Sequence, residues 1–158
     1  MNIKIYCIGK IKEQYLKDGI AEYLKRLSPY AKTEIIEVMD SKVKDNPNDF
    51  DITKAKNEEG DRVLKLIKND YLIGLDLNKK EFTSEEFANY VEQKFIEGGS
   101  SISFVIGGSY GLSEDLKKRC NSLISLSKMT FLHQMTRLVL LEQIYRAFKI
   151  LNNETYHK

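Results

Sequence analysis

The chain has 158 residues, which suits one compact domain with a buried core that needs neither disulfides nor metal. Hydrophobic residues make up 42% and charged residues 30%, no apolar run approaches the roughly 20 residues that cross a bilayer, and the opening Met1-Asn-Ile-Lys-Ile is too strand-like for a signal peptide, so a cytoplasmic protein with no membrane partner is expected. A net charge of +2 excludes a polycation, yet residues 117–158 carry eight basic groups against Glu142 and Glu154, a surface that would meet phosphate or simply coat a solvated helix.

Alternating strand and helix signals run along the chain. Asn2–Gly9 is apolar and closes on glycine, as a first strand would. Glu13–Leu27 places Leu16, Ile20, Tyr23, Leu24 and Leu27 at helical spacing, and Ser28-Pro29 stops that helix. Cys7 falls in the first strand. With Cys120 it lies outside any zinc-ligand spacing, and both are expected as small buried or half-buried hydrophobes; no metal is expected. Thr33–Met39 is a second strand. Asp40–Asp51, with its Asn46-Pro47-Asn48-Asp49 run, reads as a loop. A helix over Thr53–Lys68 follows, its apolar face at Val63, Leu64 and Ile67, and then a strand over Tyr71–Leu77.

Thr83-Ser-Glu-Glu86 fits a capping box that opens a helix to about Ile96, ended by Gly98-Gly99. Ser101–Ile106 is nearly all apolar, as in the centre of a covered parallel sheet. Ser113 caps a short helix through Arg119, Ser122–Leu126 is a weak fifth strand, and Gln134–Leu151 is a long helix with Leu138, Leu141, Ile144, Tyr145 and Phe148 on one side. The alternation predicts an α/β sandwich on a mostly parallel sheet. Ligands in such sheets sit beyond the carboxyl ends of strands, which singles out Leu75–Leu77, Gly107–Gly111 and Leu126–Phe131.

The turn in Ser103-Phe-Val-Ile-Gly-Gly-Ser-Tyr-Gly111 matches neither G-x-G-x-x-G nor a phosphate loop. Its glycines admit either a ligand or another stretch of backbone. Ser127-Lys-Met-Thr130 would offer backbone N–H and C=O groups to an adenine edge, or serve as a plain connection. His133 would orient or move a proton, or pack at a helix start. Arg137, four residues on, faces the same side and suits phosphate or carboxylate, or an ordinary salt bridge. The closing Tyr156-His157-Lys158 is a frayed end unless its aromatic and cationic groups meet an unpaired nucleotide.

Taken together in order and spacing, Ile3–Lys10, Ala21-Glu-Tyr-Leu-Lys-Arg26, Phe104–Gly108, Gly111-Leu112, Leu126–Phe131, Tyr145-Arg-Ala-Phe-Lys-Ile150 and Tyr156-His157-Lys158 resemble the small SPOUT methyltransferases, most closely the RlmH family of 23S rRNA pseudouridine N3-methyltransferases. The resemblance covers essentially the whole chain, residues 1–158. It implies an α/β knot fold with a C-terminal trefoil knot. It also implies S-adenosylmethionine held by Leu75, Gly107, Leu126, Ser127, Lys128, Met129, Thr130 and Phe131, and a homodimer with the last helix in its interface. The implied substrate is a pseudouridine in a stem-loop of ribosomal RNA within the 70S ribosome. His133 and His157 are then candidates to help the target nitrogen lose its proton. Arg137 and Lys158 become RNA contacts, and Tyr156 a group closing over the base. The family usually has proline where this chain has Leu132. A related tRNA methyltransferase and a non-enzymatic RNA-binding module are the competing readings.

Overall fold

The computed structural model describes residues 1–158. Five strands form one sheet: β1 Asn2–Ile8, β2 Lys32–Val38, β3 Leu72–Lys80, β4 Ser101–Ile106 and β5 Ser122–Ile124. They are ordered β2-β1-β4-β3-β5, and every pairing is parallel. The helices are α1 Gln14–Leu27, α2 Asp49–Leu66, α3 Ser84–Glu97, α4 Glu114–Arg119 and α5 His133–Leu151.

The helices cover both faces of the sheet. Alternate residues of β1 and β4 therefore enter two cores. Ile3, Ile5, Cys7, Ile102, Phe104 and Ile106 pack with residues of α1, α3 and α5, while Tyr6, Ile8 and Val105 pack with Val63 of α2 and Leu116 of α4. This two-sided burial is the reason both central strands read as continuous apolar runs rather than as alternating ones. Burial pushes the Cys7 thiol up to about 12 and the Cys120 thiol to about 11, so both are protonated packing groups at neutral pH.

Most expected boundaries hold within a residue or two. The Thr83 capping box is present, with its side chain accepting from the Glu86 N–H and Glu86 accepting from the Thr83 N–H. Ser113 caps α4 through the Leu116 N–H. The second helix departs from expectation. It starts at Asp49 rather than Thr53, because Asn48 and Asp51 form a reciprocal capping box directly after Pro47. The polar Asn-Pro-Asn-Asp run is thus half loop and half helix start. Strand β3 runs on to Lys80, and β5 ends at Ile124 rather than Leu126. Both shifts have one cause. The Ser125 N–H bonds the Lys80 carbonyl, and its hydroxyl accepts from the Lys79 N–H and donates to the Asp76 carbonyl. Those bonds tie the end of β5 to the extension of β3 and release Leu126 into the next loop.

Candidate cofactor and methyl-transfer site

Beyond the carboxyl ends of β3, β4 and β5 lies a cavity of about 650 Å³, a size suited to a cofactor. Its walls come from Leu75–Leu77, Ile106 with the turn Gly107–Gly111, and the loop from Leu126 to His133, with Thr136 of α5 behind. Of the expected cofactor residues, Leu75, Gly107, Leu126, Ser127, Met129, Thr130 and Phe131 all line it, and Lys128 does not. Thr136 lines it without having been singled out; sharing a helix turn with His133 was the only signal it gave.

The turn is shaped by its own backbone. A Cβ at Gly107 would lie 2.6 Å from the carbonyl carbon of Gly111, and Gly111 itself sits at φ +87. The Gly111 N–H closes onto the Gly108 carbonyl at 3.1 Å. Glycine at 107 is therefore required by the folding of the wall, and the wall in turn bounds the cavity. Across from it, the N–H groups of Leu126, Ser127, Lys128, Thr130 and Phe131 make no bond within the chain, and the Met129 N–H reaches only the Ser127 hydroxyl. Unbonded backbone donors in a loop that lines the cavity together with the apolar Leu75, Ile106 and Leu126 suit a flat, nitrogen-rich ring such as adenine.

Leu132 stands where φ is −54, within the range proline fixes, and its N–H bonds nothing in the chain. A proline at this position would therefore fit the start of α5 without changing its shape. Leu132→Pro is expected to raise stability by about 0.4–1 kcal/mol through the unfolded chain. A lower melting temperature than the parent would contradict this.

His133, the first residue of α5, lies half-buried at the rim of the cavity. Burial, with help from the nearby Arg137 charge, lowers its pKa from the usual 6.5, so the ring is neutral at pH 7.

The expected role of Arg137 needs correction. It is fully buried, and its guanidinium donates to the Glu37 carboxylate at 2.8 Å and to the Ile8 and Gly9 carbonyls at 3.0 and 2.7 Å. No face of it is offered to RNA phosphate or to a base. It pins the start of α5 to the end of β1, which holds His133 in place.

Most of the basic C-terminal charge is committed in a similar way. Lys117 pairs with Asp76 and Glu114, Arg146 with Glu142, and Lys149 with Glu154, while Arg119 donates to the Lys68 and Asp70 carbonyls. Lys118, Lys128 and Lys158 remain without an ion-pair partner. Nor is the tail frayed. The Tyr156 hydroxyl bonds Glu142, and His157 Nδ1 accepts from Arg146, leaving its Nε2–H to donate to Glu85 at 2.9 Å. Tyr156, His157 and Lys158 line no part of the cavity within their own chain.

A parallel sheet with its cavity at a glycine turn defines a class of α/β enzymes, and comparison with known proteins narrows it. The family profile described as "Predicted SPOUT methyltransferase" matches residues 1–157. Among solved structures, the tRNA (m1G37) methyltransferase of Aquifex aeolicus superposes with a TM-score of 0.53 over 92% of this chain and 70% of that one, at 13% identity, a likeness of fold alone. Among curated sequences, proteins named ribosomal RNA large subunit methyltransferase H are 50% identical in Carboxydothermus hydrogenoformans and 54% identical in an Exiguobacterium strain, each over the full length of both chains. The chain belongs to the SPOUT methyltransferases and, within them, to the ribosomal RNA large subunit methyltransferase H family, whose chemistry depends on S-adenosylmethionine. No helix is long and apolar enough to cross a membrane.

Proposed function

We propose that this protein methylates N3 of a pseudouridine in a stem-loop of 23S rRNA, position 1915 in the family's description, on assembled 70S ribosomes in the cytoplasm. The observation that carries the reading is the junction of the large cavity with a neutral imidazole at its rim, in a chain with full-length relatives of that name. S-adenosylmethionine supplies an electrophilic methyl group there. Leu75, Gly107 and the Leu126–Phe131 loop hold it, and most of the rate enhancement comes from keeping the ring nitrogen in line with that methyl. N3 carries a proton that must leave, and His133, uncharged and half-buried, is placed to receive it.

A pH series tests that role. Activity supported by a neutral His133 falls as the pH drops through its folded pKa, which lies below 6.5, and is flat between about pH 7 and 8. His133→Ala is expected to lose roughly 100-fold in kcat and to lose that acid inflection, with cofactor affinity unchanged. An unaltered pH profile in the variant would remove His133 from the chemistry.

We read the working unit as a homodimer of single-domain subunits spanning 1–158. Exposed Met129, Leu132, Leu77 and Tyr110 around the mouth form an apolar rim that a second subunit would cover. The Tyr156-His157-Lys158 tail, which lines no cavity in its own chain, then serves the partner's site, with Lys158 free for phosphate. The C-terminal trefoil knot of the family belongs to the same reading and rests on membership of the SPOUT methyltransferases.

The decisive assay is methyl transfer to 70S ribosomes lacking the modification, with the product mapped by mass spectrometry. The intact chain is expected to modify the pseudouridine, and a chain cut before Tyr156 to bind cofactor normally while losing transfer. Methyl groups appearing on tRNA alone would favour the related tRNA enzyme instead.

A further inference from the structure

A second, smaller cavity of about 260 Å³ lies under the glycine turn and adjoins the first. The two share Gly108, Ser109, Tyr110 and His133. Glu59, from the middle of α2, faces this second space although it is only 9% exposed. One of its oxygens, Oε1, accepts the Ser41 N–H at 3.2 Å. The other, Oε2, receives no hydrogen bond from any group of the chain, yet it is not sealed from the cavity. The turn passes directly over that carboxylate: a Cβ at Gly108 would come within 3.0 Å of Oε2.

The neighbouring charges leave Glu59 free. Arg62, one turn along the helix, donates to the Met39 carbonyl and the Ser41 hydroxyl and pairs with Glu58. Lys42 and Asp40 line the cavity without forming an ion pair to Glu59. A carboxylate on a residue only 9% exposed, with one oxygen bonded by the chain and the other open to the cavity, presents an acceptor that an arriving N–H can take up in place of water.

Resting on the reading above, the chemistry of that donor is narrow. A uracil ring joined to ribose through carbon has two ring N–H groups, at N1 and N3. The same ring joined through nitrogen has one, and presents a C–H where the other has N1–H. A base at the junction of the cavities, with N3 turned toward the large one and His133, would have its N1 edge free for the small one. We propose that the small cavity is the target-base subsite and that Glu59 is its specificity residue, accepting the N1–H that pseudouridine has and uridine lacks. A buried acceptor of this kind rejects the ring without the donor strongly, because the carboxylate is then left unmatched.

The test uses the full-length protein and reconstituted 70S ribosomes carrying pseudouridine, uridine or N1-methylpseudouridine at the target position. The parent is expected to lose at least about 100-fold in kcat/KM on both uridine and N1-methylpseudouridine. Glu59→Gln keeps an acceptor for Ser41 but turns an N–H toward N1. It is expected to lose at least about tenfold on pseudouridine, with its preference over uridine reduced to within about threefold. Its affinity for S-adenosylmethionine, measured by calorimetry, stays at the parent value. A variant that keeps the parent's preference overturns the proposal. Should Glu59→Gln fold poorly, the parent decides the matter alone, and equal turnover of N1-methylpseudouridine and pseudouridine overturns it. A parent that modifies none of the three substrates refutes the functional reading itself and is told apart from both results.

Discussion

Gly107→Ala is expected to remove cofactor binding almost completely, with affinity for S-adenosylmethionine falling by at least about 100-fold, on the order of 3 kcal/mol. The reason is local and steric. The new methyl would sit 2.6 Å from the Gly111 carbonyl carbon and 2.9 Å from its Cα and oxygen. These are backbone atoms, so no side chain can swing aside. The turn must open, and its opening moves the wall that faces Leu126–Phe131 across the cavity. Overpacking of this kind also costs roughly 1–3 kcal/mol of stability. Glu92→Ala, on the exposed face of α3 and outside both cavities, is the control and should bind cofactor normally. Calorimetry compares the two, and a Gly107→Ala affinity within threefold of the parent would show that the wall tolerates reshaping.

The second large effect is on folding. Arg137→Ala is expected to destabilise the protein by about 3–5 kcal/mol, the range for removing one member of a buried charged network. Three acceptors lose their donor at once: Glu37 and the carbonyls of Ile8 and Gly9. Glu37 is 38% exposed and regains water, but the two carbonyls at the end of β1 are buried with the arginine and do not. For a chain of this size the melting temperature should drop by roughly 10 °C. Arg137→Lys is expected to fall between, since one ammonium cannot span the carboxylate and both carbonyls as the planar fork does. If arginine mattered here only as a phosphate contact, both variants would melt with the parent, which a thermal scan in the absence of RNA settles directly.

Much of this molecule was legible from one-dimensional pattern. Each strand and helix announced itself by period, cap or glycine, and β4 and the Thr83 and Ser113 caps fell where expected. Local signals of this kind depend on neighbours within four residues, so a single sequence contains them. The start of α2 escaped for the same reason in reverse: Asn48 and Asp51 are good turn residues as well as good capping residues, and local chemistry does not choose between the two.

The glycine turn and the 126–131 segment also stood out, because small and polar residues at strand ends are unusual enough to notice, and their likeness to a known family joined them into one site. What the residues could not say by themselves was where long side chains finish. Arg137 and Glu37 are 100 positions apart, and Glu59 and the Gly108 that covers it about half as far. Both arrangements exist only after the sheet has brought β1, α2 and α5 together. Identical residue types on an exposed helix would be solvated charges, available to phosphate. Burial turned the arginine into a clasp between β1 and α5 and left the glutamate with an oxygen facing an adjoining cavity. One-dimensional pattern specified the α/β sandwich and, with the family likeness, the wall at Gly107–Gly111 and the loop opposite. Tertiary packing alone decided which charges were free to act, since the cost of desolvating a charge depends on every element that closes around it.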